Sequence, residues 1–396
     1  MAPNAKLEVL MVCPQYRPIV GGYERAAERL SAGLAASGHS VTVIAERRDR
    51  SWVAYENANA VAVRRLWCVH RPRLHMITSL MSFGAFLVWR GRRFDLWHVH
   101  QYGLHAALCV AVGKLLGKPV VLKLTNSGDE SVGKAVARTR GAPLVAALLR
   151  RVDAVVALTL ETAREAVDFG IRREHVHTLG NGVDPTSFRP RNRSERHQLR
   201  NELGLTASGV VVCVGRLVDV KNPAAVLDAW ALIVRGLPRG WKLVYVGDGP
   251  LGPLLMEKVR AAGLEESVLV VGQQANISEW IGASDIYVSA SNHEGLSNTL
   301  LEAMSCGLPV VVTRVSGTRE VVEEPGAGLA VDICDVEALA RAIAALALDN
   351  SLREQLGRKA RAVIEERYSI QAVVRRHELL YERLVNKTAL TDGLAR

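Results

Sequence analysis

Two acidic side chains in the last third of the chain have a type and spacing that suit ligand binding. Glu294 and Glu302 lie in the segment HEGLSNTLLEAMSCGLPVVVT, with seven residues between them. The pattern predicts Glu294 on a loop and Glu302 in the first turn of a helix that leads into a buried parallel strand. Both carboxylates are therefore expected to face one crevice, where they can hold a polyhydroxylated ligand such as a ribose or a hexose.

Each glutamate also has a purely structural explanation. Thr299 and Glu302 fit a capping box, in which the glutamate only satisfies a backbone N–H at the helix start. Glu294 lies between His293 and Gly295 and is equally understood as a solvated loop residue. The residue pattern alone leaves these alternatives open.

Two cations follow the strand-like run GVVVCV. Arg216 comes directly after Gly215, and Lys221 precedes Asn222-Pro223, a typical cap residue with proline at the first helical position. A lysine beside a helix N-terminus is unfavourable because the helix dipole already places partial positive charge there. An anion between the cations and the free backbone N–H groups would remove the conflict, and a diphosphate is the natural candidate. The alternative is two solvated surface cations.

Further polar positions follow strands of the first half. Gly21-Gly22 lie in a loop that opens a helix, although the segment is not G-x-G-x-x-G. His98 and His100 end FDLWHVH and alternate onto one face, as structural or catalytic histidines. Metal binding would need a third ligand that the sequence does not provide. Lys123 interrupts VVLKLT, either as a snorkelling lysine or as a substrate contact.

Strand and helix patterns alternate in both halves of the chain, as in β-α-β units with parallel sheets. The fold class predicted is α/β, with two doubly wound Rossmann-like domains facing across a cleft. We expect an N-terminal domain over 1–190, a C-terminal domain over 200–368 and a final segment over 369–396. A polar, Arg-rich linker lies around 188–200. VGDGP at 246–250 is interpreted as a tight turn.

Composition limits the class of protein. The 396 residues are 49% hydrophobic and 23% charged, which is typical of a folded, soluble protein of two domains. Six scattered cysteines without a Cys-x-x-Cys pair favour a reducing cytoplasm. MAPNAKLEVLMV lacks the pattern of a secretion signal.

The positive charge lies in the first half. Residues 1–190 hold 26 Lys and Arg against 15 Asp and Glu, whereas the remainder is nearly neutral. This favours an anionic partner such as an inner membrane face, a polyprenyl diphosphate or an acidic glycan, unless it is an arginine-rich composition without function. Nucleic acid is not expected, because stacking aromatics are not interleaved with the basic residues.

One apolar segment of the first half is predicted to form a helix. Met76 to Trp89 contains 14 uncharged residues, fewer than the roughly 18–20 needed to cross a bilayer. It is flanked by arginines at positions 71, 73, 90, 92 and 93. It is either an interfacial helix on a membrane or a buried helix with charged ends.

Taken in order, these motifs resemble the retaining GT-B glycosyltransferases of the large family known as glycosyltransferase group 1 or family 4. The resemblance covers nearly the whole chain. It includes the Gly21-Gly22 loop, DLWHVH, NGVD at 181–184, VGRLVDVKNP, VGDGP, ASDIYVSAS and EGLSNTLLEAMSCGLPVV. Each motif alone is weak evidence, whereas the ordered set is specific.

The resemblance implies a nucleotide-diphosphate sugar as donor, held mainly by the second domain, and a glycan or lipid-linked acceptor on the side of the first domain, in polysaccharide, lipopolysaccharide or glycolipid assembly. It also implies that a helix over 369–396 crosses back to the first domain. Arg216 and Lys221 would bind the diphosphate, Glu302 the ribose and Glu294 the transferred sugar. No metal or other cofactor is expected, because the two cations stabilise the leaving group. The remaining donor contacts would come from Gly21, Gly22, Gly295, Leu296, Ser297, Asn298 and Thr299.

The chain departs from the family at one position. Many members carry a histidine after the strand that reads VVLKLT here, whereas this chain has Thr125-Asn126. His100, Asn126 and Ser127 are the candidates for sugar or acceptor contacts in its place. Two other functions stay open: a nucleotide-sugar epimerase or hydrolase on the same fold, and a non-catalytic nucleotide-sugar-binding protein.

Overall fold

The computed structural model describes residues 6–19, 21–139 and 141–394, with the side chains of Asp129 and of 389–394 left aside. The segment assessed for a secretion signal and the end of the last helix therefore extend outside the described residues. The chain divides into two units. Unit 1 contains the described residues up to Gly182 together with the helix that begins at Ile370, and unit 2 is Val183–Ser369.

The strands of both units are short and rich in Val, Ile and Leu. The described residues form β1 (Glu8–Val12), β2 (Ser40–Glu46), β3 (Tyr55–Ala58), β4 (Val61–Leu66), β5 (Leu96–His100), β6 (Val120–Leu124), β7 (Ala154–Ala157), β8 (Val176–Thr178), β9 (Gly209–Val214), β10 (Trp241–Val246), β11 (Val268–Val270), β12 (Ile286–Ser289), β13 (Val310–Thr313) and β14 (Gly328–Val331).

Helices connect most of these strands. They are α1 (Gly22–Ala36), α2 (Pro72–Arg90), α3 (Leu104–Leu116), α4 (Val132–Ala137), α5 (Ala142–Leu149), α6 (Leu160–Asp168), α7 (Arg193–Glu202), α8 (Pro223–Ile233), α9 (Gly252–Ala261), α10 (Ile277–Gly282), α11 (Asn298–Ser305), α12 (Val336–Leu348), α13 (Asn350–Val363) and α14 (Ile370–Leu394). Short 3₁₀ or π turns cover Gly91–Arg93, Gly128–Glu130, Arg173–His175, Asp219–Lys221, Val234–Gly236, Arg319–Glu323 and Ile364–Tyr368.

Each unit is built on one sheet. In unit 1 the strand order is β3-β4-β2-β1-β5-β6-β7-β8, and β3 pairs antiparallel with β4 while the other pairs are parallel. In unit 2 the order is β11-β10-β9-β12-β13-β14, entirely parallel. Counted within the unit this is 3-2-1-4-5-6, the order of the doubly wound dinucleotide-binding fold. The prediction of two Rossmann-like α/β domains is confirmed.

The burial of the strands explains why the sequence pattern predicted them. All residues of β6, β7 and β13 are buried, because helices cover both faces of a parallel sheet. The segment predicted as a linker instead contains the start of α7, which is capped by Asn192 and Glu195 in a capping box. None of the residues of α7 is buried, so the helix lacks the apolar periodicity from which it could have been predicted.

The last helix belongs to unit 1 and packs on α1. A Cβ added at Gly33 of α1 would lie 2.6 Å from Cγ2 of Val374, so the glycine permits the close approach. His39 Nε2 and Glu378 Oε1 are 3.1 Å apart and buried. Among the described residues, no helix is both long enough and apolar enough to span a bilayer.

A buried group of polar side chains joins α14 to the sheet. His98 is hydrogen-bonded to Tyr381, and its ring stacks on His100 at a centroid distance of 4.7 Å and on His377 at 5.7 Å. Lys123 donates to Oδ1 of Asn181 at 2.9 Å, so it is not a snorkelling lysine. Burial lowers its pKa to about 8.

The same burial holds the three histidines neutral. Desolvation, followed by the nearby charge of Lys123, lowers the pKa of His377 to about 3. Burial also lowers the pKa of His98 and His100 well below the ordinary histidine value, assisted by the neighbouring cationic groups. The three imidazoles in the core of unit 1 are therefore neutral near pH 7.

We expect acid to destabilise unit 1 through these histidines. In the unfolded chain they titrate near pH ~6.5, so below that pH the unfolded state binds more protons and the free energy of unfolding falls; above it they contribute no pH dependence. His377→Gln should reduce the loss between neutral pH and pH 5 by about 2 kcal/mol, measured by urea denaturation across a pH series. The control is His197→Gln, at an exposed position of α7, and equal pH slopes in all three proteins would contradict the prediction.

Candidate functional site

The strand order of unit 2 defines where a ligand can bind. β9 and β12 are neighbours in the sheet but are separated by two strands in the chain, so their connections depart in opposite directions. Such a switch point leaves a crevice at the carboxyl ends of the two strands. The loop after β9 carries Arg216 and Lys221, and the loop after β12 carries Glu294. The sequence-predicted residues are thus brought to the same edge of the sheet.

Glycines of the segment VGDGP (246–250) shape the loop after β9. Gly215 N–H donates to Val246 O at 3.0 Å, and Leu217 N–H donates to Asp248 O at 2.9 Å. A Cβ at Gly247, whose φ is +147°, would lie 1.9 Å from Gly215 O, and one at Gly249 would lie 2.4 Å from Leu217 O. The predicted tight turn over 246–250 instead lies at 249–252, where Gly252 N–H donates to Gly249 O at 2.9 Å, and the residues before it run beside the loop and hold the backbone on both sides of Arg216.

Lys221 and Glu294 form an ion pair across the switch point. Ser291 Oγ donates to the second carboxylate oxygen of Glu294 at 3.2 Å. The predicted cap is confirmed, because Asn222 Oδ1 accepts from Ala225 N–H at 3.3 Å and Pro223 begins α8. The anion that faces Lys221 beside the α8 N-terminus is therefore the carboxylate of Glu294 when no ligand is bound.

Asn292 joins the two loops and was not found from the sequence. Its N–H donates to Val220 O at 2.9 Å, and its side-chain amide donates to Asp219 O at 3.3 Å. Asn222 Nδ2 in turn donates to Asn292 Oδ1 at 3.3 Å. The position of Lys221 is consequently held from both sides of the switch point.

Arg216 differs from Lys221 in having no carboxylate partner. Its side chain is exposed, and it forms no ion pair with any residue that the structure describes. Because a guanidinium offers several N–H donors in a fixed plane, Arg216 is available to bind an anion bidentately.

Helix α11 begins one loop after Glu294. Its cap is Ser297, whose hydroxyl accepts from Leu300 N–H at 3.4 Å. The capping box between Thr299 and Glu302 is therefore wrong, because Thr299 already lies inside the helix and Glu302 lies in the second turn rather than the first. Thr299 instead bonds Tyr287 OH at 2.9 Å and donates to Val214 O at 3.3 Å, which ties α11 to β12 and β9.

Glu302 is completely buried, whereas Glu294 is partly exposed. A small pocket lies at the carboxyl ends of β12 and β13, and its described lining includes Glu294 but not Glu302. The two glutamates therefore do not share one open surface. A ligand can reach the Glu302 carboxylate only if residues that cover it move.

The pocket has a second wall that sequence reasoning missed. Gly295, Leu296 and Ser297 line one side, and the loop from Val315 to Thr318 after β13 lines the other. Thr313, the last residue of β13, donates its hydroxyl to Ser291 O at 2.6 Å and so connects the walls. The small polar residues of RVSGT, which follow a buried strand, could have predicted this second wall from the sequence. Asn298 is the first residue of α11 and is partly buried.

In unit 1 the predicted residues lie at the corresponding edge of the first sheet. β1 and β5 are neighbours at its switch point. The Gly21-Gly22 loop follows β1, and His100 ends β5. A Cβ at Gly21 would lie 2.3 Å from Oε2 of Glu24, so the glycine lets this buried carboxylate fold over the loop. Tyr23 OH donates to His100 O at 3.4 Å and joins the two segments.

Asn126 and Ser127 follow the neighbouring strand β6. Asn126 Oδ1 accepts from Thr125 Oγ1 at 3.1 Å, and its Nδ2 donates to Glu130 Oε2 at 3.2 Å. Ser127 precedes the turn Gly128–Glu130 and is partly exposed. His100 is buried, with 1% of its surface exposed. Asn126 and Ser127 are thus the more accessible of the three candidates.

The described side chains include no group of three or more His, Cys, Asp or Glu residues arranged to hold a metal ion. All six cysteines are unpaired thiols, and Cys334 is exposed.

Two family models match the chain. Residues 195–363 match the family model described as glycosyl transferases group 1, and residues 21–182 match a glycosyl transferase 4-like domain. The N-acetyl-alpha-D-glucosaminyl L-malate synthase of Bacillus anthracis is 27% identical over 95% of this chain and 97% of its own. The lipopolysaccharide core biosynthesis mannosyltransferase LpsB of Rhizobium meliloti is 30% identical over 60% of this chain and 68% of its own.

Solved structures show the same fold. Anabaena Alr3699/HepE in complex with UDP superposes with a TM-score of 0.77 at 20% identity, over 95% of this chain and 100% of its own. The same protein in complex with UDP-glucose gives a TM-score of 0.73 at 19% identity, over 97% of this chain and 100% of its own.

Two doubly wound units with polar loops at their switch points define a GT-B type of transferase. The chain belongs to the group 1 family of glycosyltransferases.

We expect Gly247→Ala to destabilise unit 2 by about 3 kcal/mol or more, because the added Cβ overlaps Gly215 O and the backbone must shift. The control is Gly263→Ala, which also has positive φ (+65°) but has open space around the Cβ position. The control should lose only about 1 kcal/mol from backbone strain. Urea denaturation of both variants measures the difference, and equal losses would show that the contact with Gly215 is not limiting.

Proposed function

We propose that this protein is a retaining, metal-independent hexosyltransferase that moves a sugar from a nucleotide-diphosphate sugar to a glycan or lipid-linked acceptor. The observation that carries the proposal is the Lys221–Glu294 pair at the switch point of unit 2, beside the unpaired Arg216. One cation is balanced by a carboxylate, and the other is not. The site thus has one unneutralised positive charge to offer a diphosphate.

The diphosphate is assigned to Arg216 and Lys221. A lysine ammonium has three N–H donors, so Lys221 can keep Glu294 and also donate to a phosphate oxygen. Arg216 adds a planar, bidentate contact. As negative charge develops on the leaving diphosphate, these positioned cations stabilise it without a metal ion.

The transferred sugar is assigned to Glu294 and the pocket beside it. Glu294 lines the pocket together with Gly295, Leu296 and Ser297. A carboxylate held by Lys221 and Ser291 keeps lone pairs for the hydroxyls of a hexose. Backbone N–H groups at the start of α11, including those of Asn298 and Thr299, point toward the same end of the helix and favour negatively charged groups.

The reaction exchanges one bond at the anomeric carbon for another on the same face. The bond from that carbon to the diphosphate oxygen breaks, and the acceptor hydroxyl oxygen forms the new bond. The acceptor proton passes to the leaving phosphate, so nucleoside diphosphate and glycoside are the products. Glu294 stabilises the positive charge that develops on the sugar, and no side chain has to act as the base.

The donor class is supported by the structures of a protein with the same fold that contain UDP and UDP-glucose. For the acceptor, the proposal follows the relative named as a lipopolysaccharide core biosynthesis mannosyltransferase. A glycan or lipid-linked acceptor of polysaccharide, lipopolysaccharide or glycolipid assembly fits the excess positive charge of residues 1–190. Gly21, Gly22, His100, Asn126 and Ser127 stay predicted contacts.

A cytoplasmic location, with peripheral contact to an anionic membrane, is part of this proposal. Four of the six unpaired cysteines are buried, and thiols persist where the surroundings are reducing. A lipid-linked acceptor would require that the protein reach a membrane surface.

The test is a panel of nucleotide sugars followed by product analysis. Thermal unfolding with each candidate identifies the stabilising donor. Incubation of that donor with lipid and glycan acceptors should yield nucleoside diphosphate and an α-configured glycoside from an α-linked donor. Release of free sugar with every acceptor would instead support a hydrolase, and binding without any turnover would overturn the enzyme proposal.

We expect Lys221→Ala to lower kcat by more than about tenfold, a loss of roughly 1.4 kcal/mol or more of transition-state stabilisation. Donor affinity should fall less, because Arg216 remains. The matched control is Lys258→Ala, an exposed lysine of α9 in the same unit. Turnover of the Lys221 variant equal to that of the control would remove Lys221 from the leaving-group site.

We expect Glu302→Gln to weaken donor binding by about tenfold, because an amide NH₂ replaces one of the two carboxyl oxygens that we assign to a ribose hydroxyl. Calorimetric titration with the donor and thermal unfolding of the free protein should be compared for this variant and for Glu257→Gln, which is exposed on α9. Unchanged affinity with a lowered unfolding temperature would mean that the buried carboxylate only stabilises the fold.

A further inference from the structure

Helix α2 presents an apolar stripe to solvent. Ile77, Met81, Val88 and Trp89 have 56%, 69%, 58% and 80% of their surface exposed, and Leu74 is exposed as well. Spacings of three, four and seven residues along 74, 77, 81 and 88 place these side chains on one face of the helix. A continuous exposed stripe of this kind marks an interaction surface rather than scattered surface residues.

The opposite face of α2 is fixed on the domain. Ser79, Phe83 and Leu87 are buried. Ser79 Oγ donates to Oε1 of Glu46 at 2.7 Å, and the Phe83 ring contacts the His105 ring edge-on at a centroid distance of 4.8 Å. The exposed stripe is therefore a rigid feature of unit 1. It does not depend on the helix unpacking.

The loop before α2 adds an exposed tryptophan. Trp67 has 63% of its surface exposed. Two residues later, Val69 N–H donates to Thr78 Oγ1 of α2 at 3.0 Å, which attaches this loop to the helix. Tryptophan is favoured where apolar chains meet polar headgroups.

Both ends of α2 are basic. Arg71 and Arg73 lie at its start, Arg90 ends it, and Arg92 and Arg93 follow in the next turn. The helix contains no Asp or Glu. The Arg90 guanidinium lies over the Trp89 ring at 4.7 Å. Apolar side chains between two clusters of arginine are complementary to a surface with acyl chains beneath anionic headgroups.

We propose that the exposed face of α2, with Trp67, binds an anionic lipid membrane peripherally. The stripe enters the boundary between headgroups and acyl chains, and the arginines at both ends contact phosphate groups. An acidic soluble peptide would satisfy the arginines but would leave the centre of the stripe in water. The inference deepens the proposed function, which includes peripheral membrane contact, by naming the surface that makes this contact. Membrane binding can be measured without sugar transfer, so the two proposals can fail separately.

The test is flotation of the full-length protein with vesicles. Vesicles of phosphatidylcholine with about one third phosphatidylglycerol should bind the protein, whereas vesicles of phosphatidylcholine alone should bind it at least about tenfold more weakly. Binding should weaken as salt is raised, because the arginine contacts are screened. Equal binding to both kinds of vesicle, or none to either, would overturn the proposal.

Two variants separate the stripe from the charges. Met81→Glu combined with Trp89→Glu should weaken binding to the anionic vesicles by at least about tenfold. Arg92→Glu combined with Arg93→Glu should remove most of the preference for anionic lipid. The matched control is Leu144→Glu combined with Leu348→Glu, two apolar residues that are 68% and 64% exposed on α5 and α12. Wild-type binding by the stripe variant would overturn the proposal.

Two further measurements distinguish a lost membrane contact from other causes of weaker vesicle binding. Thermal unfolding with the stabilising nucleotide sugar should be the same in the stripe variant and the wild type, so a loss of vesicle binding is not a loss of folding or of the donor site. Sedimentation of the lipid-free protein should show the same mass for both. If the wild type is a dimer that Met81→Glu with Trp89→Glu dissociates, the stripe binds a second copy of the chain and the membrane proposal is wrong.

Discussion

The candidate site depends on the parallel pairing of β9 with β12. Their chain connections leave in opposite directions, so a crevice opens at their carboxyl ends and the two loops face it. The Lys221–Glu294 ion pair and the hydrogen bonds of Asn292 then join these loops. If the strands were not neighbours, the cation and the carboxylate would have no common edge of the sheet on which to meet.

The balance of charges at this edge explains why the site is stable and can still bind an anion. Lys221 is next to a helix N-terminus, where its charge is unfavourable, and Glu294 offsets it. Arg216 is left exposed on a loop whose path is set by backbone contacts at Gly215, Gly247 and Leu217. The protein therefore offers one unbalanced, well-positioned positive charge to an anion, without a buried unpaired charge that would cost stability.

Unit 1 follows a different physical rule. Its sheet is joined to α14 by neutral, stacked histidines, which are buried. Their low pKa values make the attachment of α14 sensitive to acid but independent of exposed charge. On α2 of the same unit, by contrast, apolar side chains and arginines are in contact with solvent. Structural polar groups lie inside, and the surface proposed to bind lipid lies outside.

Local sequence determined the strands, the Asn222-Pro223 cap and the family, because each is encoded within a few neighbouring residues or in an ordered series of motifs. It missed α7, which has no buried face, and it placed Glu302 in the wrong turn by choosing Thr299 rather than Ser297 as the cap. Only the tertiary structure decided that Glu294 meets Lys221, that Glu302 is buried, and that His377 reaches His98. These contacts join residues that are far apart in the chain, and strand order and helix packing set such distances while local patterns do not.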